Sequence, residues 1–160
     1  MLVANRKYAA SFHPGQLRAQ PRKRLAVVLC MDARIDPVAA LGLAYGDAHI
    51  IRNAGGRMAD ALRSLAVSQA MLGTEEVAII HHTLCGMAGI ADDAIRAEIR
   101  RQGRDPGDGP FHTFSSLEDV TREDVAIYRT SSLVRQDVPV RGFVFDVATG
   151  LLTEVGASGG

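Results

Sequence analysis

Apolar residues cluster along the chain in short runs that alternate with longer stretches of helical spacing. Leu25-Ala-Val-Val-Leu-Cys30 is almost wholly apolar and partly β-branched, which predicts a strand buried on both faces of a parallel sheet. Ala48-His-Ile-Ile51, Val77-Ala-Ile-Ile80 and Gly142-Phe-Val-Phe-Asp-Val147 read the same way, and Thr149-Gly150 turns into an edge strand over Leu151 to Val155. Leu62, Leu65, Ala66, Gln69, Ala70 and Leu72 define a helix from about Asp60 to Leu72, with Gly73 placed to end it in the left-handed conformation. Further helices are expected over Ile90–Arg101 and Leu117–Tyr128, separated by a Gly/Pro loop from Arg104 to Pro110.

Strands alternating with helices imply an α/β fold: a mainly parallel central sheet of about four strands, flanked by helices on both faces, with an edge strand that is free to run antiparallel. Residues 1–24 mix charge, Pro14 and Pro21 with a few apolar side chains, and read as a short helix followed by an irregular N-terminal arm. Residues 25–160 form a single α/β domain ending in a flexible Ala-Ser-Gly-Gly tail. In such sheets ligands collect at the carboxyl ends of strands, near the point where strand order reverses. Cys30 and Cys85 both fall at such ends.

Composition narrows the function classes. Basic and acidic residues number 18 each, so the charge footprint of a nucleic-acid or anionic-membrane binder is missing and a small-molecule or protein partner is expected. No apolar run reaches the length that spans a bilayer, and the basic start lacks a signal-peptide core, which together predict a cytoplasmic protein. Two cysteines in a reducing compartment point to metal or redox work rather than a disulfide framework.

Cys30 together with His82-x-x-Cys85 supplies two thiolates and an imidazole, the donor set Zn²⁺ favours when a fourth position is left open. Buried apolar cysteines are the plain alternative. Cys30-Met-Asp-Ala-Arg34 places Asp32 and Arg34 two residues apart, on one side of an extended chain, where the guanidinium can hold the carboxylate bidentately. Two thiolates neutralise the metal charge, so a carboxylate that orients the attacking water is useful beside it. Asp32 released from Arg34 would instead be a fourth ligand and close the site, a form favoured at lower pH.

These residues resemble a known family. The Cys30-x-Asp32-x-Arg34 segment followed by His82-x-x-Cys85-Gly86 is similar to the signature of the β-class carbonic anhydrases. Arg52-Asn-Ala-Gly55 matches that family's loop, and Arg141 to Gly150 is similar to the end of its short bacterial members. The resemblance implies zinc on Cys30, His82 and Cys85, Asp32 and Arg34 as the catalytic dyad, and reversible hydration of carbon dioxide to bicarbonate and a proton by zinc-bound hydroxide. It also implies a homodimer, in some members paired into a tetramer, with arms such as residues 1–24 wrapped over the partner.

Other positions carry narrower expectations. Leu84 is bulkier and more apolar than the family's residue there and would narrow the pocket or alter proton exit. His81, beside a strand-borne ligand, should point to the opposite face and be packed or hydrogen-bonded rather than relay protons. His13, His49 and His112 are read as surface residues, Met58, Met71 and Met87 as packing residues, and Gly86 as opening a helix whose positive end faces Cys85. The rival readings are a carbon disulfide or carbonyl sulfide hydrolase on the same zinc site, a non-catalytic zinc-binding interaction protein, and a redox pair.

Overall fold

Strand β1, Leu25–Cys30, is buried along nearly its whole length, which accounts for its unbroken apolar run. The computed structural model describes residues 1–13, 15 and 17–156. Around β1 the chain builds a five-stranded sheet of order β2-β1-β3-β4-β5, with β2 at Ala48–Asn53, β3 at Glu76–His82, β4 at Val140–Phe145 and β5 at Leu152–Glu154. The first four strands pair in parallel and β5 lies antiparallel to β4. The expected mainly parallel sheet and its antiparallel edge are both present.

The chain leaves β1 for β2 on one side and returns to β3 on the other, so strand order reverses between β1 and β3. The two ladders put Cys30 level with Asn53 and Leu29 level with Ile80. The ends of β1 and β3 therefore open side by side into the crevice where α/β sheets hold their ligands.

Helices α3, Met58–Leu72, and α5, Leu117–Thr130, cover one face of the sheet. Met58, Ala61 and Leu65 of α3 and Tyr128 of α5 pack with Ala26, Val28, Val77, Ile79 and Val140. Gly73 ends α3 at φ 71°, ψ 30°, in the left-handed conformation expected of it. The opposite face, with Val27, Leu29, Ile80 and Phe145, is packed by Ile35 and Leu41, while Leu25, Ile50, Ala78 and Phe143 there are only partly buried. Helix α1, Leu2–Ser11, buries none of its residues and exposes Leu2, Val3 and Tyr8, with Phe12 exposed just after it.

Three expectations need correction. Met71 is 72% exposed and is not a packing residue, because the buried positions of α3 are Met58, Ala61, Leu65, Ser68 and Gln69, and 71 lies off that stripe. His49 and His112 are half-buried rather than on the surface, His49 bonding Ser68 Oγ at 2.7 Å and the Ala19 carbonyl at 3.0 Å. Helix α4, Asp92–Arg101, begins well past Gly86, so Gly86 does not open it: Gly89 N–H donates to Phe114 O at 2.8 Å and keeps the chain out of helix through that stretch. A short helix α2, Pro37–Ala40, was not anticipated, although Asp36 caps it and proline opens it. Two positions of the arm, 14 and 16, and the Ala-Ser-Gly-Gly tail lie outside the described residues.

Candidate metal centre

Cys30 ends β1, His82 ends β3, and Cys85 follows in the turn after β3; all three are buried. One donor atom from each lies within 4.8 Å of the others, a group that could hold a metal ion. The two Sγ atoms are 4.0 Å apart, far beyond the roughly 2.05 Å of a disulfide. His82 Nδ1 bonds the Thr83 carbonyl at 2.9 Å, which directs Nε2 toward the thiols, and that buried Nε2 has no hydrogen-bond partner. An orphaned buried nitrogen is costly unless something else satisfies it.

The S–H of Cys85 donates to Cys30, and this holds the Cys30 thiol below its ordinary value against the opposing effect of burial. The same bond, with burial, pushes Cys85 up. Burial pushes His82 down, but the hydrogen bond with the Thr83 carbonyl and the neighbouring Cys30 and Asp32 charges outweigh it and leave the imidazole raised.

Asp32 and Arg34 meet, but across a turn rather than along extended chain. Arg34 donates from Nε to Asp32 Oδ1 at 2.9 Å and from Nη2 to Oδ2 at 2.6 Å, and its backbone N–H reaches Oδ1 at 2.9 Å. These bonds from Arg34, first from its side chain and then from its backbone, hold the Asp32 carboxyl well below the usual carboxylate range. Since the folded value lies under the ordinary 3.8, the clasp is intact above that pH and weakens only as pH falls beneath it. Asp32 Oδ2 lies 3.8 Å from His82 Nε2, at the mouth of the donor group.

Arg52 is a contributor that sequence reasoning passed over. Its Nε donates to Cys30 O at 3.0 Å and its Nη2 to Asp32 O at 2.5 Å, so one guanidinium clamps the backbone on both sides of Met31. The available signal was the match of Arg52-Asn-Ala-Gly55 to the family loop, which gave Arg52 no role of its own; its place level with Leu29 is set by pairing with β1. His81 points away from the donors, as expected, and bonds Asp124 Oδ2 at 2.9 Å. Asp124 also meets the buried guanidinium of Arg57, 3.2 Å from Oδ2, behind the site.

Leu84, between His82 and Cys85, takes φ 55° and leaves its side chain 74% exposed. Its carbonyl accepts from Arg34 Nη2 at 2.9 Å, so the left-handed backbone here serves the Asp32/Arg34 pair. Leucine is a poor choice for that conformation, and asparagine a good one. Leu84→Asn is therefore expected to stabilise the chain by about 1 kcal/mol, seen as a higher urea midpoint with unchanged slope.

A buried Cys-His-Cys donor group, at the switch point of a parallel sheet and beside a clasped carboxylate, is a centre of the kind that could hold a metal ion. The model of the carbonic anhydrase family matches residues 25–104. "Beta-carbonic anhydrase 1" of Mycobacterium tuberculosis is 44% identical over 156 residues, covering 96% of this chain and 94% of that protein. The crystal structure of carbonic anhydrase from Streptococcus mutans superposes with a TM-score of 0.90 at 40% identity, over 97% of this chain and 95% of that one. A carbon disulfide hydrolase from Acidithiobacillus thiooxidans is 32% identical, over 86% of this chain and 79% of its own length. The chain belongs to the carbonic anhydrases, an enzyme family, and within them to the β class.

Proposed function

We propose that the protein catalyses the reversible hydration of carbon dioxide to bicarbonate and a proton, with Zn²⁺ held by Cys30, His82 and Cys85 and with Asp32 and Arg34 as the catalytic dyad. The observation that carries this reading is the convergence of the three donors within 4.8 Å beside a carboxylate held bidentately by arginine. The donors suit the metal. Two thiolates bonded at about 2.3 Å to a tetrahedral Zn²⁺ stand about 3.8 Å apart, close to the 4.0 Å between Cys30 and Cys85. The bare His82 Nε2 is the nitrogen that would complete the set.

When bound, Zn²⁺ supplies Lewis acidity that makes water nucleophilic near neutral pH. The chain's own residues do the rest. Asp32, kept ionised by Arg34, presents Oδ2 as an acceptor that orients the attacking water and takes up its hydrogen bond. Arg34, tied to the Leu84 carbonyl, keeps that carboxylate from swinging onto the donors. Should Asp32 leave Arg34 it would become a fourth ligand and exclude water, at the cost of three hydrogen bonds.

A homodimer belongs to the same reading. Exposed apolar residues on α1 and the partly buried sheet face around Ile50, Ala78 and Phe143 support it, since apolar surface left open on one chain is what an obligate partner covers.

Carbon dioxide is favoured over carbon disulfide by the higher identity and fuller coverage of the carbonic anhydrase relative. The test is stopped-flow hydration of carbon dioxide, and sulfide release from carbon disulfide, on protein of known zinc content. Zinc-dependent hydration of carbon dioxide is expected, with Asp32→Asn losing about 10²-fold or more in kcat while keeping its metal. Zinc-loaded protein that leaves carbon dioxide at the buffer rate would overturn the assignment. Because Asp32 is ionised at every pH above its ordinary range, a rise in rate between pH 6 and 9 would have its origin elsewhere.

A further inference from the structure

The imidazole of His82 takes its orientation from the next residue's own carbonyl, Nδ1 to Thr83 O at 2.9 Å. Such a bond aims Nε2 only as well as the Thr83 peptide is itself held. That peptide leads into Leu84, whose φ of 55° is unfavourable for leucine. Local preference thus works against the arrangement, and contacts from elsewhere must fix it.

They come from the end of the sheet. Thr83 N–H donates to Phe145 O at 2.9 Å. Thr83 Oγ1 donates to Asp146 Oδ1 at 3.2 Å and accepts from the Val147 N–H at 3.1 Å. Asp146 is pinned in turn: Oδ1 accepts from Ala148 N–H at 2.8 Å, its carbonyl from Gly150 N–H at 2.7 Å, and its N–H donates to Leu151 O at 2.8 Å. The β4–β5 turn is thereby fastened onto the segment between the candidate ligands.

We propose that Thr83 and Asp146 are positioning residues for the metal centre, a clasp through which the β4–β5 turn sets the His82 imidazole and, one peptide later, the Leu84 carbonyl that holds Arg34. The inference rests on the reading of Cys30, His82 and Cys85 as metal ligands. Neither Thr83 nor Asp146 belongs to the donor group; both act through the backbone that carries it. Outer partners of metal-bound histidines govern metal affinity in this way by fixing ring orientation.

The experiment uses zinc-loaded protein and follows zinc release to a chromophoric chelator, alongside urea unfolding of the same samples. Thr83→Val keeps the branched shape and removes the hydroxyl, Thr83→Ser keeps the hydroxyl, and Asp146→Ala breaks the clasp from the other side. Zinc release is expected to quicken about tenfold or more in Thr83→Val and in Asp146→Ala, while Thr83→Ser stays within about twofold of the parent. The double variant should release little faster than either single one, since both cut one clasp. Release at the parent rate from Thr83→Val or Asp146→Ala, with only the urea midpoint lowered, would overturn the inference and leave a purely structural turn. A parent protein that takes up no zinc would instead overturn the metal reading, and this inference with it.

Discussion

Cys85→Ser is expected to purify with little zinc and to hydrate carbon dioxide on the order of 10³-fold more slowly than the parent, or worse, with its fold retained. The donor group offers three atoms, and serine replaces one thiolate by a hydroxyl that stays protonated near neutral pH. Losing an outer partner of a ligand already costs about 10–100-fold in affinity or activity; losing a ligand itself should cost more. Stability of the metal-free chain should change little, because serine is close in size to cysteine and Cys85 sits in a turn rather than in the central strands. The check is zinc per chain by elemental analysis, then stopped-flow rate, then urea unfolding of the metal-free proteins. Parental zinc and parental rate in Cys85→Ser would remove Cys85 from the assignment.

Gly56→Ala should cost on the order of 3 kcal/mol of stability, from two sources that a control can separate. The residue has φ 71°, so any side chain there is strained. A Cβ would also stand 2.8 Å from Cys30 N and 2.9 Å from Leu29 C, backbone atoms of β1. That strand cannot give way, being paired to β2 on one side and β3 on the other. Gly73 has the same φ of 71° but nothing within 4 Å of its Cβ position, so Gly73→Ala should show the conformational cost alone, about 1 kcal/mol. Urea unfolding of both variants makes the comparison. Equal losses would mean that the turn relaxes away from β1 without strain. A larger loss at Gly56 should come with weaker zinc retention, because the strained contact lies on the residue that carries Cys30 Sγ.

Legibility in the sequence followed the range of the forces at work. The Leu25–Cys30 strand was readable to the residue, because burial on both faces leaves an unbroken apolar run. The 3.6-residue spacing of α3 was equally plain, and so was its glycine stop. Element ends were not. Strand β2 runs on through Arg52 and Asn53 because β1 supplies partners at Leu29 and Cys30, a fact of the neighbouring strand and not of the segment itself. The late start of α4 is likewise set by pairing of the preceding segment with Phe114. Met71 was misplaced because an apolar residue in a helix says nothing about which way its stripe faces until the sheet beneath is known.

The sequence by itself determined the donor types, their positions at strand ends, and the His82-x-x-Cys85 spacing that puts two donors on either side of one turn. These are local properties, carried by residue chemistry and by short-range backbone preference. Only the tertiary structure decided that Cys30 would meet them, since residues so distant in the chain become neighbours through the order of strands in a sheet, which longer-range packing selects. It alone decided that Asp32 and Arg34 meet across a turn, that Arg52 clamps the loop after β1, and that Thr83 is held by Asp146. Each of those contacts depends on backbone brought together by burial of the sheet. No periodicity along a single segment encodes them.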